Sequence, residues 1–342
     1  MIVRATSDLH LTQRSAEWVF AALGELRADA DKHGGHTVLV GDVFDQSTTI
    51  HMPTWNRLRD CLAGWPGPIF VIAGNHDQYS GYRNVLEGLD RSHIGVQVVS
   101  EPRRTPLGLM VPYTPPDKFW STAEDANENA PPIGGNIGFA PPIWWTHQGW
   151  RGSYLNNMRR DRDGLSVKQA GKRLIISGHY HMPQNLGSVI YCGSPYETSF
   201  AEEGQIKGWL RWGDLSSAPE PTRVPFKKVG APKHWTVRWD PALGDPERPK
   251  GWKKGDKIRV IAAASRDELK SIGAAKTLKA AGLEGASIVV EVAGKGRAVI
   301  DRNAAPQEAA MQYVDRVFGP EESRVHPVAL HSWATEVDLW GS

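Results

Sequence analysis

The chain has 342 residues, of which 40% are hydrophobic and 23% are charged, and its formal net charge is +2. This composition is that of an ordinary globular protein, and the charge is too small to indicate a nucleic-acid partner by itself. The two cysteines, Cys61 and Cys192, provide no disulfide framework, and no apolar run reaches the ~18 residues of a membrane-spanning helix. We therefore expect a cytoplasmic protein with no membrane segment.

Strands and helices alternate over the first part of the chain. Residues 2–6, 38–40 and 69–72 are mostly apolar and are predicted as strands, whereas Ser15 and Pro53 are typical of the starts of two intervening helices. Alternation of this kind predicts parallel strands joined by right-handed crossovers. Polar residues follow each predicted strand, and we expect them to collect at one edge of the sheet.

The pattern changes in the middle of the chain. Residues 96–99 and 107–111 are predicted as short strands, which we expect to be antiparallel. Residues 114–142 are rich in proline, glycine and asparagine and lack periodicity, so we predict a long surface loop or lid. Later runs predict a hairpin at 188–191 and strands at 143–146, 173–177, 208–212 and 234–239.

Changes in composition divide the chain into four predicted segments. Residues 1–213 form the first domain, and the proline-rich residues 214–250 form a connection. Residues 251–302 form a small α+β capping domain, with one predicted helix over residues 266–281. Residues 303–342 contain a helix that begins at Pro306, and its apolar face consists of Met311, Val314, Val317 and Phe318. This face is open to two interpretations, docking on the protein itself and docking in the groove of a partner.

Seven polar side chains follow the predicted strands and are the candidate metal ligands: Asp8, His10, Asp42, Asn75, His147, His179 and His181. Imidazole combined with carboxylate suits manganese, iron or zinc. Seven ligands exceed the needs of one tetrahedral ion and fit two ions with a bridging carboxylate, an arrangement used in phosphoryl hydrolysis. His76 is predicted as a general acid or phosphate donor, and either Asp77 or Asp45 is predicted to hold its ring.

The motifs follow one another in an order that resembles that of the calcineurin-like metallophosphoesterases. The motifs in question are residues 8–10, 41–45, 74–77, His147 and 178–181. Within that superfamily, residues 146–148 and 191–200 resemble the nuclease branch found in the SbcCD-type DNA-repair complexes of bacteria and their phage relatives. The resemblance covers residues 1–212, and beyond residue 250 it is one of layout only. It implies a four-layer α/β/β/α sandwich.

The resemblance also implies site residues, metals and partners. One metal ion would be held by Asp8, His10, Asp42 and His181, and a second by Asp42, Asn75, His147 and His179. His76 would be the catalytic histidine. The implied metal is Mn²⁺, with Fe²⁺, Mg²⁺ and Zn²⁺ as alternatives. The implied activity is DNA cleavage, as an exonuclease, an endonuclease or both, and the implied partner is an SMC-like ABC ATPase of the SbcC type that contacts the C-terminal region. The resemblance does not decide whether the chain forms a homodimer.

Two other functions compete with the nuclease, namely a small-molecule or nucleotide phosphodiesterase and a non-catalytic metal-binding scaffold. The complete ligand set and His76 favour an enzyme, and the long C-terminal extension favours a nuclease. Candidate DNA contacts are the basic residues Arg151, Arg159 and Arg160, for phosphates, and Trp144, Trp145 and Trp150, for an unpaired base. The alternative for these residues is a solvated charged face and core tryptophans.

Overall fold

The computed structural model describes residues 1–81, 83–90, 95–130, 143–215, 220–291 and 335–337. The described chain forms two compact units. The first consists of Met1–Asn156, Arg160–Thr198 and Gln205–Ala231. The second contains the described residues from Pro232 onward, together with Asn157–Arg159 and Ser199–Gly204. The helix predicted to begin at Pro306 lies outside the described residues, as does the part of the predicted loop from 131 to 142.

The strands of the first unit are β1 (Val3–Thr6), β2 (His36–Val40), β3 (Ile69–Ile72), β4 (Gln78–Ser80), β5 (Arg83–Asn84), β6 (Val96–Val99), β7 (Arg103–Thr105), β8 (Gly108–Val111), β9 (Ile143–His147), β10 (Leu174–Gly178), β11 (Asn185–Leu186), β12 (Val189–Tyr191), β13 (Gly208–Trp212) and β14 (Thr222–Pro225). The helices of this unit are α1 (Ala16–His33), α2 (Met52–Leu62), α3 (Glu87–Asp90), α4 (Pro116–Asn129) and α5 (Val167–Ala170).

Two six-stranded sheets form the centre of the first unit, with the orders β14-β13-β1-β2-β3-β6 and β11-β12-β10-β9-β8-β7. Apolar side chains of both sheets, including Val38 and Ile176, are buried together in one cluster between them. Leu23 of α1 packs with the first sheet, and Phe119 of α4 packs with the second. These contacts give four layers and confirm the predicted α/β/β/α sandwich.

Four neighbouring strands of each sheet run parallel, namely β1, β2, β3 and β6 in the first sheet and β8, β9, β10 and β12 in the second. Their carboxyl ends therefore lie at one edge of each sheet, where ligands of α/β proteins usually bind. This topology determines where the polar residues after each strand are placed.

The second unit contains β15 (His234–Trp239), β16 (Lys257–Ala262), α6 (Arg266–Ser271), α7 (Ala274–Ala280), β17 (Ser287–Val290) and β18 (Thr335–Val337). Its first three strands are parallel, and β18 pairs antiparallel with β17. Val260, Leu278 and Ile288 belong to one buried cluster that joins the sheet to the helices. This unit has the predicted α+β character. No helix in the described part of the chain has both the length and the apolar character needed to cross a membrane.

Several sequence predictions are wrong in detail. Strand β6 is parallel to β3, and β8 is parallel to β9 although it is antiparallel to β7. The predicted loop contains α4, because Phe119, Ala123 and Ala126 recur at helical spacing and are all buried. The single helix predicted over residues 266–281 is two helices, since Gly273 between them has a left-handed φ of 62°. The first sheet continues beyond residue 213, because β14 pairs with β13.

Candidate metal centre

The first unit brings the seven predicted ligands together at the carboxyl ends of its strands. Asp8 and His10 follow β1, Asp42 follows β2, Asn75 follows β3, His147 ends β9, and His179 and His181 follow β10. Potential ligand atoms form three groups, each within 4.8 Å: Asp8 with His10 and His181, His10 with Asp42 and His76, and Asp42 with His147 and His179. Because Asp42 and His10 each belong to two groups, the three groups form one cluster.

The donor atoms of this cluster fit divalent cations. Nε2 of His10 lies 2.9 Å from Nε2 of His181, so two imidazole nitrogens face each other. Nε2 of His147 is buried without a hydrogen-bond partner, and it lies 3.2 Å from a carboxylate oxygen of Asp42. The amide oxygen of Asn75 lies 2.9 Å from Nδ1 of His179. Cations among these atoms would satisfy all of them, and the mixture of imidazole and carboxylate suits manganese, iron or zinc.

The electrostatics of the cluster are dominated by Asp42. Burial opposes its charge, but the neighbouring His147 and His10 outweigh burial and hold the pKa of Asp42 well below its usual range. Burial also opposes the charge on His147, but Asp42 raises the pKa of this imidazole to about 9. Burial and the positive charge of His147 lower the pKa of His179 to about 4. Since ligation needs a neutral imidazole, a cation bound at His147 would displace its proton.

Partners outside the cluster fix the orientation of three histidine rings. Nδ1 of His147 lies 2.8 Å from the carbonyl oxygen of Val40, and Nδ1 of His181 lies 2.9 Å from Oγ1 of Thr198. Nδ1 of His10 lies 3.1 Å from a carboxylate oxygen of Asp45. In each case the other nitrogen, Nε2, is left for the cluster. Such contacts are the usual way in which proteins set the tautomer of a ligating histidine.

His76 is exposed, and its ring is held by a backbone atom. Its Nδ1 lies 2.7 Å from the carbonyl oxygen of Asp45, and its backbone N–H donates to Oδ1 of Asp42 at 2.9 Å. The ring of His76 also contacts the ring of His10, with centroids 4.9 Å apart. The ring is therefore fixed beside the cluster, with Nε2 as the nitrogen that is not bound to the carbonyl.

Of the two residues expected to hold the ring of His76, the structure selects Asp45, although the contact is made by its backbone carbonyl. The Asp45 carboxylate contacts His10, and only its backbone carbonyl contacts His76. The Asp77 carboxylate is fully buried and accepts three backbone N–H groups, from Val43 at 3.2 Å and from Phe44 and Gly74 at 2.9 Å. Asp77 therefore joins the loops after β2 and β3 and does not hold the ring of His76.

Backbone strain marks the same residues, and sequence reasoning did not anticipate it. Five non-glycine residues of the described chain have positive φ, and four of them are predicted ligands: Asp8 at 52°, His10 at 44°, Asp42 at 50° and His179 at 91°. Left-handed conformations cost energy for residues with a Cβ, and they concentrate at functional sites. The strain supports the assignment of these residues to a binding site.

Two glycines in the motifs are required by close approach. A Cβ on Gly74 would lie 2.1 Å from Oδ1 of Asp42, and a Cβ on Gly41 would lie 2.0 Å from Nδ1 of His147. Neither neighbour can move without disturbing the cluster. The spacing of strand, glycine and ligand therefore has a steric cause in this chain, because only glycine allows the loops to come this close.

The candidate DNA contacts differ in their exposure to solvent. Arg151, Arg159 and Arg160 are exposed, which leaves their predicted role open. Trp144, Trp145 and Trp150 are 3%, 0% and 0% exposed, so of the two interpretations the structure supports core tryptophans and excludes stacking on an unpaired base. They belong to the buried clusters on the two faces of the second sheet.

Comparisons with known proteins agree with this geometry. The family model described as calcineurin-like phosphoesterase matches residues 1–183, a range that contains all seven predicted ligands and His76. No curated protein matches the chain.

Two similar solved structures are the phosphoesterase YfcE from E. coli and GAP50, described as the anchor in the inner membrane complex of Plasmodium. YfcE is 13% identical with a TM-score of 0.30, over 66% of this chain and 100% of YfcE. GAP50 is 13% identical with a TM-score of 0.37, over 67% of this chain and 89% of GAP50. These values are too low to support an inference about substrate. The family match spans more than half of the chain, and the protein therefore belongs to the calcineurin-like phosphoesterases, a family of metal-dependent phosphoester hydrolases.

Proposed function

We propose that this protein is a Mn²⁺-dependent DNA nuclease that hydrolyses phosphodiester bonds and works with an SMC-like ABC ATPase in DNA repair. The observation that carries the proposal is the cluster of imidazole and carboxylate groups around Asp42, with His76 held at its edge. A two-metal centre is the usual clamp for in-line displacement at phosphorus.

The residues of the cluster have distinct roles in this proposal. Asp8, His10, Asp42 and His181 would hold one ion, and Asp42, Asn75, His147 and His179 would hold the second. When bound, the ions would neutralise phosphate charge and activate water for attack. Thr198 and Asp45 keep Nε2 of His181 and His10 directed at the cluster through the Nδ1 contacts already described.

His76 would protonate the leaving oxygen. Its Nδ1 faces the carbonyl oxygen of Asp45, an atom that can only accept, so Nδ1 carries a proton. The imidazolium form would then donate its second proton from Nε2 to the substrate. The exposed position of the ring is consistent with contact to a large substrate.

The segment that resembles the nuclease branch is next to the cluster, which supports the choice of nuclease over small-molecule phosphodiesterase. The hydroxyl of Tyr196 donates to the carbonyl oxygen of Leu9 at 2.9 Å, between Asp8 and His10. Thr198 contacts His181. This segment therefore helps to build the site. Its similarity to the nuclease branch involves residues that contact the cluster.

The proposed ATPase contact is the helix predicted to begin at Pro306. Truncation after residue 302 is a poor test, because it would also remove β18 from the sheet of the second unit. The double substitution Val314→Asp and Val317→Asp places charge on the predicted apolar face and keeps β18. We expect this variant to lose co-purification with an SbcC-type partner while it still cleaves single-stranded DNA. Partner binding at the wild-type level would place the contact elsewhere.

The nuclease proposal is tested by offering the purified protein three substrates with Mn²⁺: plasmid DNA, oligonucleotides and bis-p-nitrophenyl phosphate. We expect cleavage of all three and no cleavage by Asp42→Asn. Cleavage of bis-p-nitrophenyl phosphate without DNA cleavage would indicate a small-molecule phosphodiesterase. Metal binding without any cleavage would indicate a scaffold.

A further inference from the structure

Two tyrosine–arginine pairs are placed beside the histidine cluster, and neither has a role in the mechanism described above. The first pair is Tyr79 and Arg83, on the hairpin formed by β4 and β5. This hairpin begins two residues after His76, and the Tyr79 side chain is 50% exposed. Arg83 is exposed as well, and Glu87 and the Tyr79 hydroxyl both raise the pKa of its guanidinium.

The base of this hairpin is anchored, whereas the pair faces solvent. Nε2 of Gln78 donates to the carbonyl oxygen of Tyr113 at 2.9 Å. Asn84 is buried and donates from Nδ2 to Oγ of Ser100 at 2.8 Å. The backbone N–H of Val85 donates to the carbonyl oxygen of Asp77 at 3.1 Å. The aromatic ring is thus carried by an anchored hairpin that follows His76 in the chain, so ordering it on binding costs little entropy.

The second pair is Tyr154 and Arg160, on the loop after β9. The Arg160 guanidinium lies 3.8 Å from the centroid of the Tyr154 ring, and its Nη2 donates to the Tyr154 hydroxyl at 2.9 Å. This loop contacts the cluster, because Oδ1 of Asn156 accepts the backbone N–H of His181 at 2.7 Å. The backbone N–H of Tyr154 donates to Oε1 of Gln184 at 2.7 Å.

The two pairs are linked to the first and last members of a row of ring contacts. The ring of His10 contacts both His76 and His181, with centroid distances of 4.9 and 4.8 Å. The hairpin with Tyr79 follows His76 in the chain, and the loop with Tyr154 is bound to His181 through Asn156. An extended ligand that follows this row would reach both loops.

We propose that a single-stranded polynucleotide crosses the row of His76, His10 and His181 and is held at each end by one tyrosine–arginine pair. The inference rests on the proposed nuclease function and specifies its substrate as an unpaired strand. Aromatic rings and guanidinium planes both stack on bases, and guanidinium groups pair with phosphates. The buried tryptophans cannot provide this stacking.

Single exposed aromatic residues are common on protein surfaces, so Tyr79 alone would indicate nothing. The same chemistry is repeated on both loops. Each tyrosine is accompanied by an exposed arginine, and each loop also supports a residue of the cluster. This combination of cation and aromatic ring is typical of proteins that bind single strands with little sequence preference.

The test compares the full chain with Tyr79→Ala, Tyr154→Ala and the double variant, using oligothymidylate and bis-p-nitrophenyl phosphate with Mn²⁺. We expect each alanine to raise KM for the oligonucleotide about tenfold, with kcat unchanged, because stacking stabilises each bound base. Hydrolysis of bis-p-nitrophenyl phosphate should not change. Tyr79→Phe keeps the ring and should retain the wild-type KM.

The arginines are tested by salt dependence. Arg83→Gln should lower the slope of log Kd against log salt by about one phosphate contact. Arg57→Gln is the matched control, because Arg57 is an exposed arginine that pairs with Glu17 between α1 and α2, and it should leave the slope unchanged. Kd is measured from the fluorescence anisotropy of a labelled oligonucleotide and does not require turnover.

These measurements test the strand-binding inference and the nuclease proposal independently of each other. A wild-type protein that hydrolyses neither substrate contradicts the nuclease proposal, and the anisotropy data still decide whether the tyrosines bind the strand. Equal KM and equal Kd in the wild type and the double alanine variant would overturn the inference, even if DNA is cleaved. Tighter binding of duplex than of single strands, unaffected by Tyr79→Ala, would overturn it as well.

Discussion

Asp77 offers a test of how the metal centre is held together. Its buried carboxylate accepts the backbone N–H groups of Val43, Phe44 and Gly74, and thereby joins the loop that carries Asp42 to the loop that carries Asn75. Asp77→Ala would leave three buried donors without a partner. We expect loss of stability and of metal binding, although the residue touches no atom that would bind metal.

The loss of stability expected for Asp77→Ala results from two opposing contributions. Each unsatisfied buried donor costs about 1–3 kcal/mol, so three would cost roughly 3–9 kcal/mol. Burial and the charge of Asp42 raise the pKa of Asp77 to about 6, which shows that the ionised carboxylate is itself unfavourable there. Removal of that charge offsets part of this loss. We therefore expect a net loss at the lower end of the range, about 3 kcal/mol, which lowers Tm by roughly 6–12 °C for a domain of this size.

The assay is thermal unfolding in chelator, followed by the same measurement with Mn²⁺. Asp77→Asn is the matched control, because it removes the same charge but keeps the shape and one acceptor oxygen, and it should retain more stability than Asp77→Ala. A Tm of Asp77→Ala equal to that of the wild type would refute the structural role. A variant of normal stability and normal metal content but no activity would instead place Asp77 in direct contact with His76.

Three further predictions can be made. His76→Ala should abolish phosphodiester cleavage while the metal content by mass spectrometry stays at the wild-type level; loss of metal together with activity would make His76 a ligand. Gly74→Ala should lower activity and Tm, because its Cβ would lie 2.1 Å from Oδ1 of Asp42. The control Gly24→Ala places its Cβ in open space within α1 and should raise Tm slightly. Equal effects of the two variants would contradict the steric explanation. Burial and the N-terminal charge lower the pKa of His36, so the contribution of His36 to stability is present above pH ~6.5 and is lost as the pH falls through the lower pKa of the folded state. His36→Phe keeps the stacking on Phe70 and should flatten this acid dependence of Tm. An unchanged dependence of Tm on pH in the variant would contradict this prediction.

The position of the metal centre was predictable because parallel strands bring their carboxyl ends to one edge. Asp8, Asp42 and Asn75 each follow a predicted strand, so their convergence needed only the strand order. The left-handed φ of Asp8 and Asp42 was not predictable, since backbone dihedrals at loop residues depend on tertiary contacts. The role of Asp77 was also hidden, because its three donors include two from a loop more than thirty residues earlier in the chain.

Other misses have similar causes. Helix α4 has a weak composition for a helix, and its buried face consists of Phe119 and two alanines, so its apolar periodicity is faint in the sequence. The sequence left Trp145 with two interpretations, stacking on a base or a core position, and the structure selects the core position because β9 is buried on both faces. Tyr79 and Tyr154 went unnoticed because single tyrosines in loops carry no signal until their neighbours in space are known.

The central claim is that seven side chains around Asp42 form a two-ion centre. The most direct measurement is the manganese content of protein that has been stripped with chelator, reloaded with Mn²⁺ and desalted. We expect two ions per wild-type chain, and far fewer in Asp42→Asn, because the substitution removes the shared carboxylate. Asp60→Asn, at an exposed surface pair with Arg59, should retain both ions. A wild-type chain that retains no manganese, iron or zinc, or an Asp42→Asn variant that retains both ions, would contradict the account.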